Sequence, residues 1–142
     1  MECASKADRP VLDTIRDTIL SIGRNAIEFI VLFGSRARGT ASQRSDTDIA
    51  VKTNLTDASE RWDLLLSLVS SLNGPRKRVD IVMVEDANWS LKYRIARDGV
   101  VLFAREGAWE RFLTDVMIYY PDYAIFEREF LGHVMRAIRN GD

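Results

Sequence analysis

The stretch of sequence that decides the fold reads IEFIVLF-GSRARGTASQRS-DTDIAV and spans residues 27–51. Residues 27–33 are aliphatic, β-branched or aromatic apart from one acid, which is typical of a buried strand that ends before Gly34. Residues 34–45 are polar and contain two glycines, so they predict a loop. The apolar pattern resumes over 48–51. The stretch therefore predicts two strands joined by a polar loop.

On both sides of this stretch, helical patterns alternate with strand-like ones. From Trp109 onwards the pattern is mostly helical, with a break or kink predicted near Pro121 because proline lacks an amide donor. We therefore expect an α/β (α+β) fold: a small mixed β-sheet backed by helices, with a helical C-terminal extension. The other predicted helices cover 10–23, 56–72 and 88–97, and the other predicted strands cover 78–84 and 100–103.

Length and composition limit the classes of protein that this chain can represent. A chain of 142 residues is long enough for one compact domain but short for two. A formal net charge of −1 gives no general attraction to nucleic acid, and the basic run at 76–78 is too small for a nucleic-acid surface. One cysteine and one histidine exclude a disulfide framework and a Cys/His zinc site within the chain. Without an apparent export signal or membrane-spanning run, we expect a cytoplasmic protein that does not bind membranes.

The polar loop has the residues of a phosphate-binding turn. Gly34 allows the backbone to approach a ligand closely, and the Ser35 hydroxyl can donate a hydrogen bond to a phosphate oxygen. Arg36 and Arg38 can add charge-assisted contacts. Taken alone, a Gly-Ser pair is most often an ordinary turn, and the arginines can equally be surface residues. The acids that follow the loop decide between these interpretations.

Two acids at the entrance to the second strand can share one cation. Asp46 and Asp48 are two residues apart, so we expect their side chains on the same face of the strand. Their oxygens suit Mg²⁺, whose shell can be completed by substrate phosphates. Asp80 interrupts an apolar strand, and a carboxylate buried there needs a partner, which we expect to be the same metal site; Glu85 and Asp86 are its rivals. Three carboxylates around two Mg²⁺ ions predict nucleotidyl transfer.

The order of these residues resembles the signature of the polymerase-β-type nucleotidyltransferase superfamily. Gly34-Ser35 is followed, after ten residues, by Asp46-Thr47-Asp48, and Asp80 is similar to the third acid. The short chain and the segment Arg78-Val79-Asp80-Ile81-Val82 most resemble the minimal nucleotidyltransferase (MNT) antitoxins that act on HEPN ribonuclease toxins. The resemblance covers about residues 10–105, the expected catalytic core of one nucleotidyltransferase domain over 1–142, and leaves about 106–142 as the helical extension.

This resemblance implies a reaction and a set of residue roles. It implies that AMP is transferred from ATP to a tyrosine of a HEPN toxin, which neutralises the toxin. It also implies nucleotide contacts from Gly34, Ser35, Arg36 and Arg38, and catalytic, Mg²⁺-binding roles for Asp46, Asp48 and Asp80, with Asp80 either completing the metal site or acting as base.

Two further hypotheses stay open at this point. The protein can neutralise its toxin by complex formation without catalysis, or it can be a nucleotidyltransferase that modifies a small molecule, although the chain is short for a dedicated substrate pocket. An aromatic cluster in the tail is expected to be partly core and partly an exposed partner surface. Its members are Tyr119, Tyr120, Tyr123, Phe126 and Phe130.

Overall fold

The computed structural model describes residues 8–41, 46–75 and 78–139, without the side chain of Phe126. Helices and strands alternate along the chain as expected, and short 3₁₀ turns cover Arg24–Ala26 and Val84–Asp86. Of the basic run at 76–78, only Arg78 lies within the described residues. The elements are helix α1 (Arg9–Gly23), strand β1 (Ile27–Phe33), helix α2 (Gly34–Arg38), strand β2 (Thr47–Thr53), helix α3 (Ala58–Leu72), strand β3 (Val79–Met83), helix α4 (Trp89–Asp98), strand β4 (Val100–Ala104) and helix α5 (Ala108–Arg139).

The four strands form one mixed sheet in the order β3-β2-β1-β4. Strand β1 runs antiparallel to both of its neighbours, whereas β2 and β3 are parallel. The register places Phe33 opposite Asp48, and Asp48 opposite Asp80. The central strand β1 is covered on both faces, which explains why its sequence is a nearly continuous apolar run. The predicted small mixed sheet is confirmed.

Helices cover both faces of this sheet. Alternate residues of β1 point to opposite sides, as strand geometry requires. Ile30 and Leu32 join a core cluster with α1 and α3, whereas Phe29 and Val31 join a second cluster with α4 and α5. Phe29 is completely buried and meets the ring of Trp109 edge-on, with 5.1 Å between the ring centroids. The sheet is therefore held between two helical layers.

Side-chain caps explain where α3 and α4 begin. The Asp57 carboxylate accepts a hydrogen bond from the Ser59 amide at 2.8 Å. The Asn88 side chain accepts one from the Leu91 amide, also at 2.8 Å. Both caps satisfy amides that have no partner within the helix. The two helices consequently start within two residues of their predicted positions.

The prediction of a polar loop after β1 is wrong for its first five residues, because they form the short helix α2. Ala37 is buried, which anchors this helix on the core. Gly39 ends it with a φ of 76°, the left-handed conformation typical of helix C-termini. Sequence periodicity gives no signal for a helix of five residues, since one turn is too short to show a repeat. Residues 42–45 of the predicted loop lie outside the described residues.

Helix α5 is 32 residues long and continues through Pro121, so the predicted break is absent. Proline removes the hydrogen bond to the carbonyl of Met117. Both residues are exposed, and water can therefore take the place of the missing amide. Despite the length of α5, no helix among the described residues is long and apolar enough to span a membrane.

Candidate active site

The junction between β1 and α2 brings the backbone of Gly34 against the side chain of Asp48. Gly34 has a φ of 76°, a conformation that residues with side chains rarely adopt. A Cβ atom at this position would collide with the Asp48 carboxylate. Ser35 follows, and its carbonyl accepts a hydrogen bond from the Thr40 amide at 3.0 Å. Position 34 is therefore restricted to glycine by both backbone conformation and space.

Three carboxylates lie at the same end of the sheet. Asp46 immediately precedes β2, and Asp48 and Asp80 are register partners on the parallel strands β2 and β3. Burial raises the pKa of Asp48, and the negative charges of Asp80 and Asp46 raise it further. A limited loss of hydration also raises the pKa of Asp80, together with the charge of Asp46 and a hydrogen bond with it. The three acids named from the sequence therefore form one cluster of negative charge.

The environment of Asp80 differs from the sequence expectation. Strand β3 is an edge strand, and the side chain of Asp80 is exposed rather than buried. The argument from the cost of burying this carboxylate is therefore wrong, although Asp80 does lie beside the other two acids.

Glu85 and Asp86, the alternatives to Asp80 as third acid, have partners outside this cluster. Glu85 accepts hydrogen bonds from the amide and the hydroxyl of Thr53 at 2.8 and 2.9 Å. Asp86 pairs with Arg61 at 3.0 Å. Both acids therefore have structural partners, whereas Asp80 lies with Asp46 and Asp48.

The two arginines of α2 lie in different surroundings. Arg38 pairs with Asp98 of α4 at 2.9 Å, and only 7% of the Asp98 side chain is exposed. Hydrogen bonds from Arg97 and Arg38 lower the pKa of Asp98. Arg36 instead lies 3.9 Å from Asp8 and lines a neighbouring cavity. Arg38 therefore lines the same cleft as Gly34, whereas Arg36 does not.

A polar cleft of about 900 Å³ unites most of these groups. It lies between the β1–α2 junction, the edge strand β3 and helix α4. Its lining includes Gly34, Ser35, Arg38, Asp48 and Asp80, which were named from the sequence. It also includes four polar residues that sequence reasoning missed as site residues: Asn73, Arg78, Arg94 and Asp98.

No local motif marks the missed residues, because their elements approach the cleft only in the folded chain. A second cavity of about 780 Å³ adjoins the cleft and contains Asp46 and Arg36. The two cavities share Asn73, Arg78 and Val79. Asp46 lines this second cavity, and its charge acts on Asp48 and Asp80 of the cleft.

The carboxylates suit Mg²⁺ by their chemistry rather than as a preformed cage. Among the described residues, no three His, Cys, Asp or Glu side chains stand ready to hold a metal ion. The acids would therefore have to turn towards an ion as it binds. Oxygen ligands are those that Mg²⁺ prefers, and a divalent cation would relieve the mutual repulsion of Asp46, Asp48 and Asp80. The donor set thus fits this metal.

Comparison with known proteins supports the resemblance seen in the sequence. The family model described as "Polymerase beta, Nucleotidyltransferase" matches residues 18–108. The matched segment contains all four strands and every residue of the cleft described above. The nucleotidyltransferase-like fold expected from the sequence is thereby confirmed.

Individual relatives extend the match over most of the chain. The protein adenylyltransferase MntA of Shewanella oneidensis is 27% identical over 129 residues, which are 90% of this chain and 87% of that protein. A chain in the crystal structure of a toxin–antitoxin with AMP-PNP is 27% identical, with a TM-score of 0.69, and the match covers 87% of this chain and 98% of that one. A chain in the structure of a tri-AMPylated Shewanella oneidensis HEPN toxin in complex with its MNT antitoxin shares the fold at 24% identity, with a TM-score of 0.65 over 89% and 98% of the two chains.

The constraint at Gly34 predicts the effect of a single added methyl group. Gly34→Ala should lower the free energy of unfolding by about 1–3 kcal/mol, because it combines an unfavourable φ with a collision at Asp48. Gly132→Ala is the matched control, since a Cβ there meets nothing within 4 Å. Urea unfolding followed by circular dichroism measures both. Equal stability of the two variants would contradict this account of position 34.

The hydrogen bonds that Asp98 accepts from Arg97 and Arg38 predict a pH dependence of stability. Because the pKa of Asp98 is lowered by folding, its charge stabilises the folded state above the unfolded pKa of about 3.9. This contribution is lost as the pH falls through the lowered pKa. Asp98→Asn should therefore be less stable than wild type near neutral pH, and the difference should shrink in acid. The free energy of unfolding of both proteins should be measured from neutral to acid pH. A difference between them that does not change with pH would contradict the role given to the Asp98 charge.

Proposed function

Because this chain belongs to the polymerase beta nucleotidyltransferase family, we propose that it transfers AMP from ATP to a tyrosine of a HEPN-type ribonuclease toxin and thereby neutralises the toxin. The observation that carries the proposal is the meeting of the Gly34 turn, Arg38, Asp48 and Asp80 around one polar cleft, with the charge of Asp46 acting on both acids from the adjoining cavity. The MntA relative is a protein adenylyltransferase, and a second relative is part of a toxin–antitoxin with the ATP analogue AMP-PNP. Both relatives support this donor and this class of acceptor.

Each group at the cleft has a role in this proposal. Gly34 and Ser35 contact the nucleotide phosphates, the first through its backbone and the second through its hydroxyl. Arg38 adds positive charge from a position fixed by Asp98. Arg36 would reach the nucleotide only from the neighbouring cavity.

The reaction exchanges one phosphorus–oxygen bond for another. The tyrosine oxygen bonds to the α-phosphorus while the bond from that phosphorus to the bridging β-phosphate oxygen breaks, and pyrophosphate leaves. Asp46, Asp48 and Asp80 would hold two Mg²⁺ ions, with Asp80 either completing that site or accepting the hydroxyl proton. When bound, Mg²⁺ supplies positive charge that neutralises the phosphates. Holding the hydroxyl in line with the leaving group supplies much of the remaining rate enhancement.

The transfer reaction makes a direct prediction. Wild-type protein should move label from α-labelled ATP with Mg²⁺ onto a tyrosine of the cognate toxin, with an AMP-sized gain in mass. Asp46→Asn and Asp48→Asn should each reduce the rate by more than about 100-fold, since each removes a ligand for the metal. Label transfer and mass spectrometry of the toxin measure this result.

Asp86→Asn is the matched control for this experiment. It also removes one carboxylate near the end of β3, but this acid pairs with Arg61 outside the cleft. It should therefore leave the transfer rate close to that of wild type. Label on a small molecule and not on the toxin would overturn the protein-acceptor hypothesis and favour small-molecule modification.

A protein partner is further supported by the distal half of α5. Phe130, Val134 and Ile138 follow Phe112, Val116 and Tyr120 by 18 residues each, which is about five helical turns. They therefore lie on the face of α5 that packs against the protein body in the proximal half. Phe112 and Val116 are buried, whereas Phe130 is 57% exposed and Ile138 is 69% exposed.

Five exposed apolar residues on one side of the distal half form what we name the α5 stripe: Phe130, Leu131, Val134, Met135 and Ile138. The polar residues Glu129, His133 and Arg136 lie on the other side of the helix. A contiguous apolar stripe of this kind is typical of a protein–protein interface. We assign it to the toxin, and the same observation favours the second candidate function, neutralisation by complex formation without catalysis.

The α5 stripe makes a prediction that is independent of catalysis. Replacing Met135 and Ile138 together by Glu should weaken the complex with the toxin by at least about tenfold, because two charges would be buried against an apolar surface. His133→Glu is the matched control, since it adds a charge on the polar side of the same segment. Binding of the purified proteins by calorimetry measures both.

The same variants separate the two candidate functions in cells that express the toxin. If transfer neutralises the toxin, Asp48→Asn should bind it yet fail to protect growth. If complex formation is sufficient, Asp48→Asn should protect, and only the Met135→Glu/Ile138→Glu variant should fail.

A further inference from the structure

Three arginines line the polar cleft, and they differ in what they contact. Arg38 is paired with Asp98 at 2.9 Å. Arg78 comes just before β3, and its positive charge acts on Asp80. Arg94 lies on α4, and its positive charge acts on Asp48, as that of Arg38 does. Arg38 and Arg94 are therefore on the Asp48 side of the cleft, and Arg78 is on the Asp80 side.

The charge of Arg94 acts on Asp48, but the two side chains form no ion pair. Within residues 8–41, 46–75 and 78–139, its guanidinium forms no hydrogen bond and no ion pair. Its neighbour Arg97, one helical turn further along α4, binds Asp98 at 2.9 Å. Arg94 is exposed and lines the cleft that also contains Gly34 and Ser35. An unpaired guanidinium beside such a turn is suited to bind phosphate oxygens with two parallel hydrogen bonds.

We propose that Arg94 binds the β- and γ-phosphates of the nucleotide and stabilises the departing pyrophosphate. This assignment rests on the proposed function only in requiring a nucleoside triphosphate in the cleft. The reacting α-phosphorus must lie at the carboxylates, so the rest of the phosphate chain extends from there towards the Gly34 turn. Helices α2 and α4 pack against each other, which places Arg94 beside that path.

This position gives Arg94 a function in the bond-breaking step. When the tyrosine oxygen bonds to the α-phosphorus, the electron pair of the broken bond passes to the bridging oxygen, which leaves as part of pyrophosphate. Negative charge grows on the leaving group at this moment. A guanidinium that contacts the β- and γ-phosphates attracts the transition state more strongly than it attracts bound ATP. It therefore raises the rate of transfer as well as the affinity for the nucleotide.

The test compares two ligands that differ only in the phosphates assigned to Arg94. Binding of AMP-PNP with Mg²⁺ and binding of AMP are measured by calorimetry for wild type, Arg94→Ala and Arg94→Lys. Arg94→Ala should weaken AMP-PNP binding by about 10- to 100-fold, as expected for the loss of charge-assisted hydrogen bonds, and change AMP binding by less than about twofold. Arg94→Lys should restore part of the loss, since lysine keeps the charge but not the fork.

Lys92→Ala is the matched control, because it removes a positive charge from the same helix. Its amino group lies over the ring of Trp89 at 4.3 Å and does not line the cleft. It should bind both ligands as wild type does. Thermal denaturation confirms that each variant is folded before binding is compared.

Two results would overturn the assignment. Unchanged AMP-PNP binding by Arg94→Ala would show that the guanidinium does not contact the phosphates, and an equal loss for AMP and AMP-PNP would place its contact at the nucleoside or the α-phosphate. Failure of the proposed function gives a different pattern: AMP-PNP binding would depend on Arg94, yet no tyrosine would be modified. If wild type binds no AMP-PNP, both proposals are wrong.

Discussion

The close approach of the Gly34 backbone to the Asp48 carboxylate is the contact on which the site depends. It arises because β1 and β2 pair antiparallel with Phe33 opposite Asp48, so the turn that leaves β1 must pass directly over the first acid of β2. The parallel pairing of β2 with β3 then adds Asp80 beside Asp48. These two pairings bring a phosphate-compatible turn, Asp48 and Asp80 to the same end of the sheet.

Electrostatic repulsion is the cost of this convergence. Burial and neighbouring negative charge raise the pKa of Asp48, and the charges of Arg38 and Arg94 act in the opposite direction. The nearly buried Asp98 holds Arg38 by an ion pair, whereas Arg94 lines the cleft without forming an ion pair with any described acid. A site with unbalanced charges of both signs is poised for a ligand that carries both, such as a polyphosphate with its divalent cations.

Helix α5 joins the core of the protein to the surface that we assign to the partner through one continuous face. Its proximal half completes the core with Phe112 and Val116 against the sheet, and its distal half presents the α5 stripe to solvent. Because the same helix packs on α4, which carries Arg94 and Asp98, a partner bound to the stripe is attached to a layer that lines the cleft. Mutations in the α5 stripe can therefore be made without changing the residues of the cleft.

The sequence by itself determined the local elements and the acids of the site. The apolar run at 27–33 and the spacing of Gly34, Asp46 and Asp48 are short-range patterns, and each was readable because its physical cause lies within a few neighbouring residues. Tertiary structure alone decided what depends on distant partners. Asp80 is exposed because β3 is an edge strand. Arg36 and Arg38 are separated because one contacts Asp8 and the other Asp98. Arg94 reaches the cleft because α4 packs beside α2. Pro121 remained within a helix because its surroundings are exposed to water, which no local pattern specifies.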